Sequence, residues 1–583
     1  MFDQSYLKEL QRRREQWEKT TLRESLRRFK VEESPNQFYS PLDVKEHDFL
    51  DEVGFPGEYP YTAGKYASSV PGSGPVKGGG YIVSGGGLIR SGRYSGYGTA
   101  EDTRDYYQSE LIRGRQSGPN LAFDLPTQLG YDSDHPISRG EVGKTGVAID
   151  TLNDMETIYQ AFTGEHDLDK IASNFTINAP CNVILAMYIA LSEQRRIPLA
   201  KLRGTPQNDI LKEFISRGTY IFPPKPSMRM VKDTITYCTK NMPLLNTISI
   251  CGYHMREQGA TRVQTLGFTM ANAIAYVQLG LEAGLEVDDF VPRFTFLDPS
   301  GSMEMLKEIA LRRAHRRMYA RIMKERFKAK DPRNWRLRDN IGPMAGCYTM
   351  TVQRPLNNLT RAIIGGVAAA LSMNTAIVEP PYDEPLGLGW SLEAQQLSED
   401  AARIIQYEAK LCDVIDPFAG SYYIESLTDE IEEGAWAIVN KVEELGGAVA
   451  AIEKGFPQKE IAQSAYQYQK EVETGERIIV GVNRFTGEHE LEVNTTRLVQ
   501  HPYDREKRAR AEEKQITKLE KIKRERDNHK VEVTLKELKE ACCDENTNLI
   551  PTLVGAVKAY ATIGEICGVL RDIFGEYRVS GAL

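Results

Sequence analysis

The stretch that decides the fold runs from Gly204 to Met255 and reads GTPQNDILKEFISRGTYIFPPKPSMRMVKDTITYCTKNMPLLNTISICGYHM. Two short apolar runs, at 220–223 and 246–250, each lead into polar residues at a turn. Barrels of alternating strands and helices present their chemistry in this way, at the carboxyl ends of the strands. We therefore expect the guanidinium of Arg217 and the imidazole of His254 to face a common mouth.

The alternation continues on both sides of this stretch, from about residue 94 to about residue 410. Short β-like runs occur at 121–124, 248–250 and 290–296. Helical segments lie between and after them, at 153–162, 183–194, 261–284 and 302–324. Repeated strand–helix units over roughly 300 residues are typical of a parallel (β/α)8 barrel. The predicted fold class is therefore α/β, a TIM barrel with an N-terminal helical arm and a C-terminal helical extension.

Four regions follow from composition. Residues 1–65 form a charged helical arm and a Pro- and Tyr-rich linker, 66–93 a Gly-rich insertion, 94–427 the barrel, and 428–583 a helical region. The Gly-rich insertion is either a loop whose bare backbone approaches a ligand or a flexible surface segment. Its Gly72-x-Gly74 string lacks the flanking strand and helix of a dinucleotide fingerprint, so we discount that function.

Composition excludes several classes of function. The chain has 583 residues and a net charge of −8, which argues against a general nucleic-acid binder. Its eight cysteines are scattered, without a CxxC pair or a zinc-like histidine spacing, and are typical of reduced thiols. The first residues carry charges and no apolar signal segment, and no run is long enough to span a membrane. We expect a cytoplasmic protein with no membrane, nucleic-acid or metal site of its own.

Eleven ordered motifs carry a resemblance over nearly the whole chain. They begin at Tyr94 (YSGYGTA), Leu121 (LAFDLPT), Gly130 (GYDSD), Gly146 (GVAID), Gln207 (QNDILKE), Pro223 (PPKPSMR), Ile250 (ICGYHM), Pro292 (PR), Asp416 (DPFAGSYY), Gly481 (GVN) and Ala559 (AYATIGEI). Together they resemble the large subunit of the adenosylcobalamin-dependent acyl-CoA mutases, the methylmalonyl-CoA mutase family. The resemblance implies a radical carbon-skeleton rearrangement of an acyl-CoA, with the difficult step performed by the cofactor.

The resemblance assigns three residues to the reacting group. His254 would donate a hydrogen bond to the thioester carbonyl, Arg217 would clamp a free carboxylate with two hydrogen bonds, and Tyr94 would shape the acyl pocket. Relatives acting on carboxylate-free substrates have a neutral residue in place of the arginine. Without the motifs, the three would be interpreted as a core histidine, a surface arginine and a core tyrosine.

The resemblance also implies binding residues along the acyl-CoA and near the cofactor. Thr205, Gln207, Asn246, Ser249 and Arg293 match positions that line the acyl-CoA channel, with Arg293 the one that carries charge. Arg90 and Arg93 are candidates for the CoA phosphate contacts. Gly96 and Phe123 match positions near the corrin face, and Glu384 matches a glutamate that holds the adenosyl ribose.

Three departures from the family pattern leave the substrate open. The Gly-rich insertion, the segment 340–349 and the segment 373–384 replace stretches that read the acyl, CoA and adenosyl groups. Methylmalonyl-CoA and succinyl-CoA are the expected pair. Alternatives are an alkylsuccinyl-, ethylmalonyl-, isobutyryl- or 2-hydroxyisobutyryl-type acyl-CoA, or a non-catalytic acyl-CoA-binding subunit. A barrel enzyme without cobalamin would need a lysine or paired carboxylates at the mouth, which we cannot place.

Cobalamin binding requires a partner in this interpretation. The family's cobalt-ligating loop reads Asp-x-His-x-x-Gly, whereas the nearest string here, Asp527 to Glu532, lacks the glycine. The chain after the barrel is also too short for a cobalamin domain. We expect a separate small cobalamin-binding subunit, in a heterodimer or heterotetramer, that docks on the N-terminal arm or the last helices.

Overall fold

A computed structural model gives the architecture of the chain. It describes residues 4–24, 27, 39–44, 48–65, 94–112, 118–297, 301–340, 347–373, 378, 381–386, 391–411, 414–487 and 505–578.

Seven short strands form the centre of the fold. They are β1 (Tyr94–Ser95), β2 (Asn120–Ala122), β3 (Ala172–Thr176), β4 (Arg203–Pro206), β5 (Ile248–Cys251), β6 (Phe294–Leu297) and β7 (Asp339–Asn340). Every pair is parallel, and the order in space is the order in sequence, β1 to β4 in one sheet and β5 to β7 in another. This is the arrangement that repeated right-handed strand–helix units produce.

Backbone hydrogen bonds join the two sheets. The amide of Asn246 donates to the carbonyl of Gly204 at 2.9 Å, and that of Ser249 to the carbonyl of Gln207 at 2.9 Å. Seven strands thus follow one another side by side. The described residues contain no eighth strand joining β7 to β1, so the part of the prediction that they bear out is a parallel α/β fold, not a closed barrel.

Within the described residues, twenty α-helices surround and extend this centre. The first ten are α1 (Gln4–Trp17), α2 (Ala100–Ile112), α3 (Leu125–Gln128), α4 (Leu152–Tyr159), α5 (Cys181–Gln194), α6 (Ile210–Lys212), α7 (Pro224–Asn241), α8 (Tyr253–Glu257), α9 (Arg262–Glu282) and α10 (Val287–Phe290). The others are α11 (Met305–Arg321), α12 (Asn357–Leu371), α13 (Leu392–Arg403), α14 (Tyr422–Glu444), α15 (Ala448–Glu453), α16 (Phe456–Thr474), α17 (Arg505–Glu525), α18 (Asn528–Cys542), α19 (Ile550–Lys558) and α20 (Ile563–Phe574).

The C-terminal helices add an outer layer over the helices that cover the strands. Helix α5 is buried along nearly its whole length, because its sequence CNVILAMYIALS is apolar on every face and the strands cover one side of it. Helix α19 packs against α5 and brings Leu553, Val554 and Val557 into the same core. The predicted final helical segment therefore buries its apolar face within this chain. None of the described helices has the length and apolarity needed to cross a bilayer.

Two distant motifs meet where α20 begins. The carboxylate of Asp132 accepts hydrogen bonds from the hydroxyl of Thr562 and the amide of Gly564, both at 2.7 Å. A Cβ at Gly564 would lie 2.6 Å from the carboxylate oxygen, so only glycine fits this contact. The GYDSD and AYATIGEI motifs therefore anchor the C-terminal region to the α/β core.

Helix α11 buries four arginines, Arg312, Arg313, Arg316 and Arg317. Their guanidiniums reach in several directions: Arg313 to Asp416 and Glu425, Arg316 to backbone carbonyls of the N-terminal segment, and Arg317 to carboxylates on that segment and on α14. One helix thus ties the N-terminal arm, the DPFAGSYY motif and α14 to the strand region.

Local predictions needed correction at three places. Residues 220–223 form no strand, because the tyrosine packs face to face on Phe214, with ring centroids 5.0 Å apart, and the prolines lead into α7. The run 290–296 is extended only from Phe294, since Phe290 ends α10. Helix α17 has many charged residues, which predicts a solvated helix, yet its Ala511, Gln515 and Leu519 are buried. The Gly-rich insertion 66–93 lies outside the described residues.

Candidate functional site

The candidate residues lie along β4 and β5 from one end of the strands to the other. Arg293 precedes β6 at the amino end, beside Arg203 at the start of β4. Gln207 directly follows β4, and His254 lies in α8, three residues after β5 ends. His254 and Arg217 both lie beyond the carboxyl ends of these strands, where the sequence predicted them, and their roles stay predictions.

A buried ion pair forms the floor of the carboxyl end. Lys212 and Glu213 are both fully buried and pair with each other. The Nζ of Lys212 also donates to the Oε1 of Gln207 at 2.9 Å. Glu213 accepts further bonds from Asn178 Nδ2 at 2.6 Å and from Thr219 Oγ at 2.5 Å. Each charge is therefore paired and hydrogen-bonded, as a buried charge must be.

The electrostatics of this pair favour the charged forms. Burial alone would raise the pKa of the Glu213 carboxyl, but Lys212 and Arg217 outweigh it and the pKa is lowered. Glu213 therefore remains an anion at neutral pH. It presents one oxygen to Arg217 at 3.4 Å, a long bond that leaves most of the guanidinium's donors available.

Arg217 ends a π-helical turn, Glu213–Arg217, that continues α6. Gly218 follows in a left-handed conformation (φ 83°) and turns the chain away at once. The Arg217 side chain remains 23% exposed, in contrast to the fully buried Lys212 and Glu213. It is thus a partly exposed cation held over a buried anion, a suitable arrangement for a guanidinium that receives a carboxylate from outside.

His254 lies close enough to these cations to sense them. Burial lowers the pKa of its imidazole well below 6.5, and Lys212 and then Arg217 lower it further. The ring is therefore neutral at physiological pH and carries one N–H donor. Its Nδ1 lies 3.1 Å from the Sγ of Cys251, and its ring packs edge to face on Tyr253.

A second buried carboxylate holds the backbone beneath His254. Asp209 accepts a 2.7 Å bond from the amide of Cys251 and a 2.7 Å bond from the hydroxyl of Tyr276. Burial raises the pKa of Asp209 to about 6, although Lys212 opposes the shift. The end of β5 and the start of α8 are thereby fixed to the loop that carries Gln207.

The remaining channel candidates form contacts between strands. Asn246 Nδ2 donates to Thr205 Oγ1 at 2.8 Å, while Asn246 Oδ1 is buried and accepts no bond within the described residues. Ser249 is 8% exposed and lies in β5. Arg293 is half-buried, and burial and the neighbouring Arg203 lower its pKa. Polar side chains thus lie at successive levels along the strands, and the guanidiniums of Arg203 and Arg293 lie at their amino ends.

Three predicted residues, Tyr94, Gly96 and Phe123, lie in β1 or just after β1 and β2. Tyr94 pairs through its backbone with Asn120, and its side chain lies outside the described part of the chain. Gly96 has a φ of 140°, and a Cβ there would lie 2.4 Å from the carbonyl oxygen of Ala122. Packing of the two strands therefore explains this glycine by itself. Phe123 is 1% exposed and packs on Phe175 in the core.

Three other candidates remain. Arg90 and Arg93 are outside the described residues. Glu384 begins a 3-10 turn, Glu384–Leu386, in a segment that also contains Tyr382, whose carbonyl accepts a bond from Asn358. The role of Glu384 at an adenosyl group stays a prediction.

Sequence reasoning missed the polar residues that support the site. They are Asn178, Asp209, Lys212, Glu213, Thr219, Cys251 and Tyr276. A signal was present for several of them. Asn178 follows β3 at its carboxyl end, and Lys212 and Glu213 belong to the QNDILKE motif, in which the resemblance assigns a role only to Gln207.

Comparisons with known proteins identify the family of this chain. The sequence profile of the family "Methylmalonyl-CoA mutase" matches residues 30–576. The 2-hydroxyisobutanoyl-CoA mutase large subunit of Aquincola tertiaricarbonis is 38% identical over 98% of this chain and 97% of its own length. Methylmalonyl-CoA mutase of Escherichia coli (strain K12) is 40% identical over 84% of this chain. The mitochondrial methylmalonyl-CoA mutase of Homo sapiens is 37% identical over the same share.

The relatives differ in length. This chain covers 66% of the Escherichia coli protein and 64% of the human one, but nearly all of the Aquincola large subunit. The profile match extends over far more than half of the chain, and so the chain belongs to the methylmalonyl-CoA mutase family of acyl-CoA mutases.

Proposed function

We propose that this chain is the substrate-binding large subunit of an adenosylcobalamin-dependent acyl-CoA mutase, with methylmalonyl-CoA and succinyl-CoA as its substrate pair. The observation that carries the proposal is the group of His254, Arg217 and the Lys212–Glu213 pair at the carboxyl ends of β4 and β5. It combines a neutral hydrogen-bond donor with a partly exposed guanidinium, as a thioester and a carboxylate on one acyl group require.

The reacting group is oriented by this cluster. The Arg217 guanidinium pairs with the free carboxylate of the substrate, and Glu213 holds that guanidinium from the other side. The neutral imidazole of His254 donates to the thioester carbonyl and stabilises charge that builds on its oxygen during the rearrangement. A buried, dry site strengthens both interactions.

The rest of the acyl-CoA extends along the strands in this proposal. The pantetheine amides meet Gln207, Ser249, Thr205 and Asn246 in turn, and the buried Asn246 Oδ1 is a ready acceptor for an amide N–H. The phosphates lie at the amino ends near Arg293, where two neighbouring guanidiniums favour an anion. A closed (β/α)8 barrel around this axis is the architecture that the seven consecutive parallel strands favour.

Cobalamin fits this chain only as a group brought by a partner. The one sequence that approaches a cobalt-binding loop is used for a helix start: the carboxylate of Asp527 accepts from the amide of Lys530 and caps α18, and His529 is exposed on that helix. Within the described residues no cluster of three metal-binding side chains occurs. A separate small cobalamin-binding subunit in a heteromeric, cytoplasmic enzyme would supply the radical chemistry, and the chain's own residues bind and orient the acyl-CoA.

A second candidate substrate has a specific observation in its favour. The relative that matches this chain over nearly its whole length is named a 2-hydroxyisobutanoyl-CoA mutase large subunit. An acyl group of that kind lacks a free carboxylate and would leave the Arg217 guanidinium without its anion in the site, which costs binding energy. We therefore rank the dicarboxylic substrate first.

The proposal is tested by reconstituting the chain with a cognate small cobalamin-binding subunit and adenosylcobalamin. Methylmalonyl-CoA, isobutyryl-CoA, 2-hydroxyisobutyryl-CoA and an alkylsuccinyl-CoA are offered separately, and isomer formation is followed by chromatography. Turnover of methylmalonyl-CoA supports the proposal in full. Turnover of the alkylsuccinyl-CoA alone keeps the mechanism and changes the acyl group. Turnover of only the carboxylate-free substrates overturns the role of Arg217, and binding without any turnover supports a non-catalytic subunit.

A further inference from the structure

The thiol of Cys251 lies within hydrogen-bonding distance of the candidate catalytic ring. Cys251 is the last residue of β5 and is fully buried. Its Sγ lies 3.1 Å from Nδ1 of His254, which is three residues further on in α8. This is a short contact for sulfur and nitrogen, so one of the two atoms carries the proton between them.

The protonation states of the pair limit where that proton lies. Burial raises the pKa of the Cys251 thiol to about 11, so sulfur carries its hydrogen at neutral pH. The backbone amides of His254 and Tyr253 also donate toward this sulfur. The sulfur's acceptor capacity is thus already in use, and its S–H is free to donate to the ring nitrogen.

The neutral ring then has one arrangement. Because burial and the nearby cations keep the imidazole neutral, only one ring nitrogen carries hydrogen. If Nδ1 accepts from the thiol, the hydrogen lies on Nε2. The ring therefore presents an N–H donor on the side opposite Cys251, and His254 as a whole remains partly exposed.

We propose that Cys251 is a positioning residue for the mutase reaction: its S–H donates to Nδ1 of His254 and so fixes the Nε2–H tautomer that donates to the thioester carbonyl. The inference rests on the proposed function for the identity of the acceptor. The tautomer itself is a property of this chain alone, and it is measurable without substrate, cofactor or partner.

The first test is a spectroscopic one on the isolated chain. Nitrogen-15 labelling of histidine, with two-bond proton–nitrogen correlation spectra, distinguishes the Nε2–H from the Nδ1–H form, and His254→Gln identifies the signal. We expect a single Nε2–H tautomer in the unmodified chain and in Cys251→Ser, whose hydroxyl also donates. We expect a mixture, or the Nδ1–H form, in Cys251→Ala.

Cys238→Ala is the matched control. Cys238 is equally buried, and its recorded sulfur contact is Met242 at 3.9 Å, not a ring. Its removal should create a similar small cavity and leave the His254 tautomer unchanged. An Nδ1–H form in the unmodified chain, or an undisturbed Nε2–H form in Cys251→Ala, would overturn the proposal.

The second test is kinetic and uses the reconstituted enzyme. Cys251→Ala should lower kcat by about 10-fold with little change in KM. This is the lower end of the loss that follows removal of the hydrogen-bond partner of a metal-bound histidine. Cys251→Ser should retain most of the activity. Equal kcat in Cys251→Ala and Cys238→Ala would overturn the positioning role. An inactive unmodified enzyme that still shows the Nε2–H tautomer would instead count against the proposed function.

Discussion

Two helical regions of this chain bury charged side chains, and they do so in opposite ways. Helix α11 buries four arginines, and the side chains and carbonyls that receive them come from segments distant in sequence. The turn 210–217 buries only Lys212 and Glu213, and the third charge, Arg217, stays partly exposed. The arginines of α11 are buried among groups of the chain itself, whereas the turn 210–217 leaves the cation of Arg217 accessible to a ligand.

The difference shows that buried charge alone does not identify a functional site. The α11 arginines lie between parts of the chain that must be held together, and side chains and carbonyls from those parts receive their guanidiniums. The Lys212–Glu213 pair lies at the carboxyl ends of parallel strands, where α/β folds bind ligands, and it supports two side chains with donors to spare. Position in the fold and a partly exposed cation, taken together, separate the two cases.

The largest expected effect tests the structural region. Arg313→Met removes a buried guanidinium and leaves Glu425 and Asp416 as buried carboxylates without their cation. We expect the free energy of unfolding to fall by about 3–5 kcal/mol, measured by urea denaturation. Arg333→Met, at an exposed arginine paired with Asp331, should leave the unfolding midpoint unchanged. Equal unfolding midpoints for both variants would contradict the inference that the arginines of α11 hold distant segments together.

The next effect sharpens the comparison. Glu213→Gln keeps the shape of the side chain but leaves the Lys212 ammonium buried without its anion. We expect a loss of about 2–4 kcal/mol in unfolding free energy and, in addition, weaker binding of acyl-CoA by the folded protein, measured by calorimetry. Arg313→Met should leave binding by the folded fraction unchanged. If both variants weaken binding equally, the two regions do not differ in function.

A smaller effect on stability is expected at Arg217. Because this side chain is partly exposed and makes one 3.4 Å contact, Arg217→Gln should change the unfolding free energy by less than about 1 kcal/mol. Turnover of methylmalonyl-CoA in the reconstituted enzyme should fall about 100-fold, because the substrate carboxylate loses its partner. Arg104→Gln, at a similarly exposed arginine paired with Asp105, should retain full activity. Retained activity in Arg217→Gln would rule out the carboxylate role.

The smallest expected effect concerns the imidazole of His254, which should not titrate near pH 6.5. The folded pKa of His254 lies well below the 6.5 of a free histidine, so the ring stays neutral as pH falls through 6.5, while the unfolded chain takes up a proton. Its contribution to stability is therefore present above pH 6.5 and is lost as pH falls below it. A pH profile of kcat/KM should show no inflection near 6.5 from this residue. An inflection there that disappears in His254→Gln would contradict the neutral donor.

The sequence alone predicted the strand–helix alternation and the placement of the reactive pair. His254 follows the short apolar run 246–250, and the carboxyl ends of parallel strands bring residues at such positions together. The network beneath them was not predictable, since Asn178 reaches Gln207 and Glu213, 29 and 35 residues further along the chain, only because β3 and β4 lie side by side. Adjacent Lys212 and Glu213 in a helical segment are ordinarily interpreted as a solvated pair.

The same limitation applies to α11 and α17. Their charge content predicts exposure, because an isolated helix with so many charged residues would be solvated. Burial of Arg313 depends on carboxylates 103 and 112 residues away, and burial of Gln515 on Asp150, 365 residues away. Gly96 and Gly564 illustrate a related point: their need for glycine comes from a backbone or carboxylate atom of a distant segment. Local sequence patterns predict the helices and strands, whereas tertiary contacts decide which charged side chains are buried.

Arg217, supported by the Lys212–Glu213 pair, is proposed to bind the free carboxylate of an acyl-CoA. One binding measurement tests this most directly. Calorimetric titration of this chain with methylmalonyl-CoA and with isobutyryl-CoA compares ligands that differ by a carboxylate in place of a methyl group. We predict that methylmalonyl-CoA binds about 10- to 100-fold more tightly, and that Arg217→Gln abolishes the difference. Equal affinities for the two ligands in the unmodified chain would contradict the account.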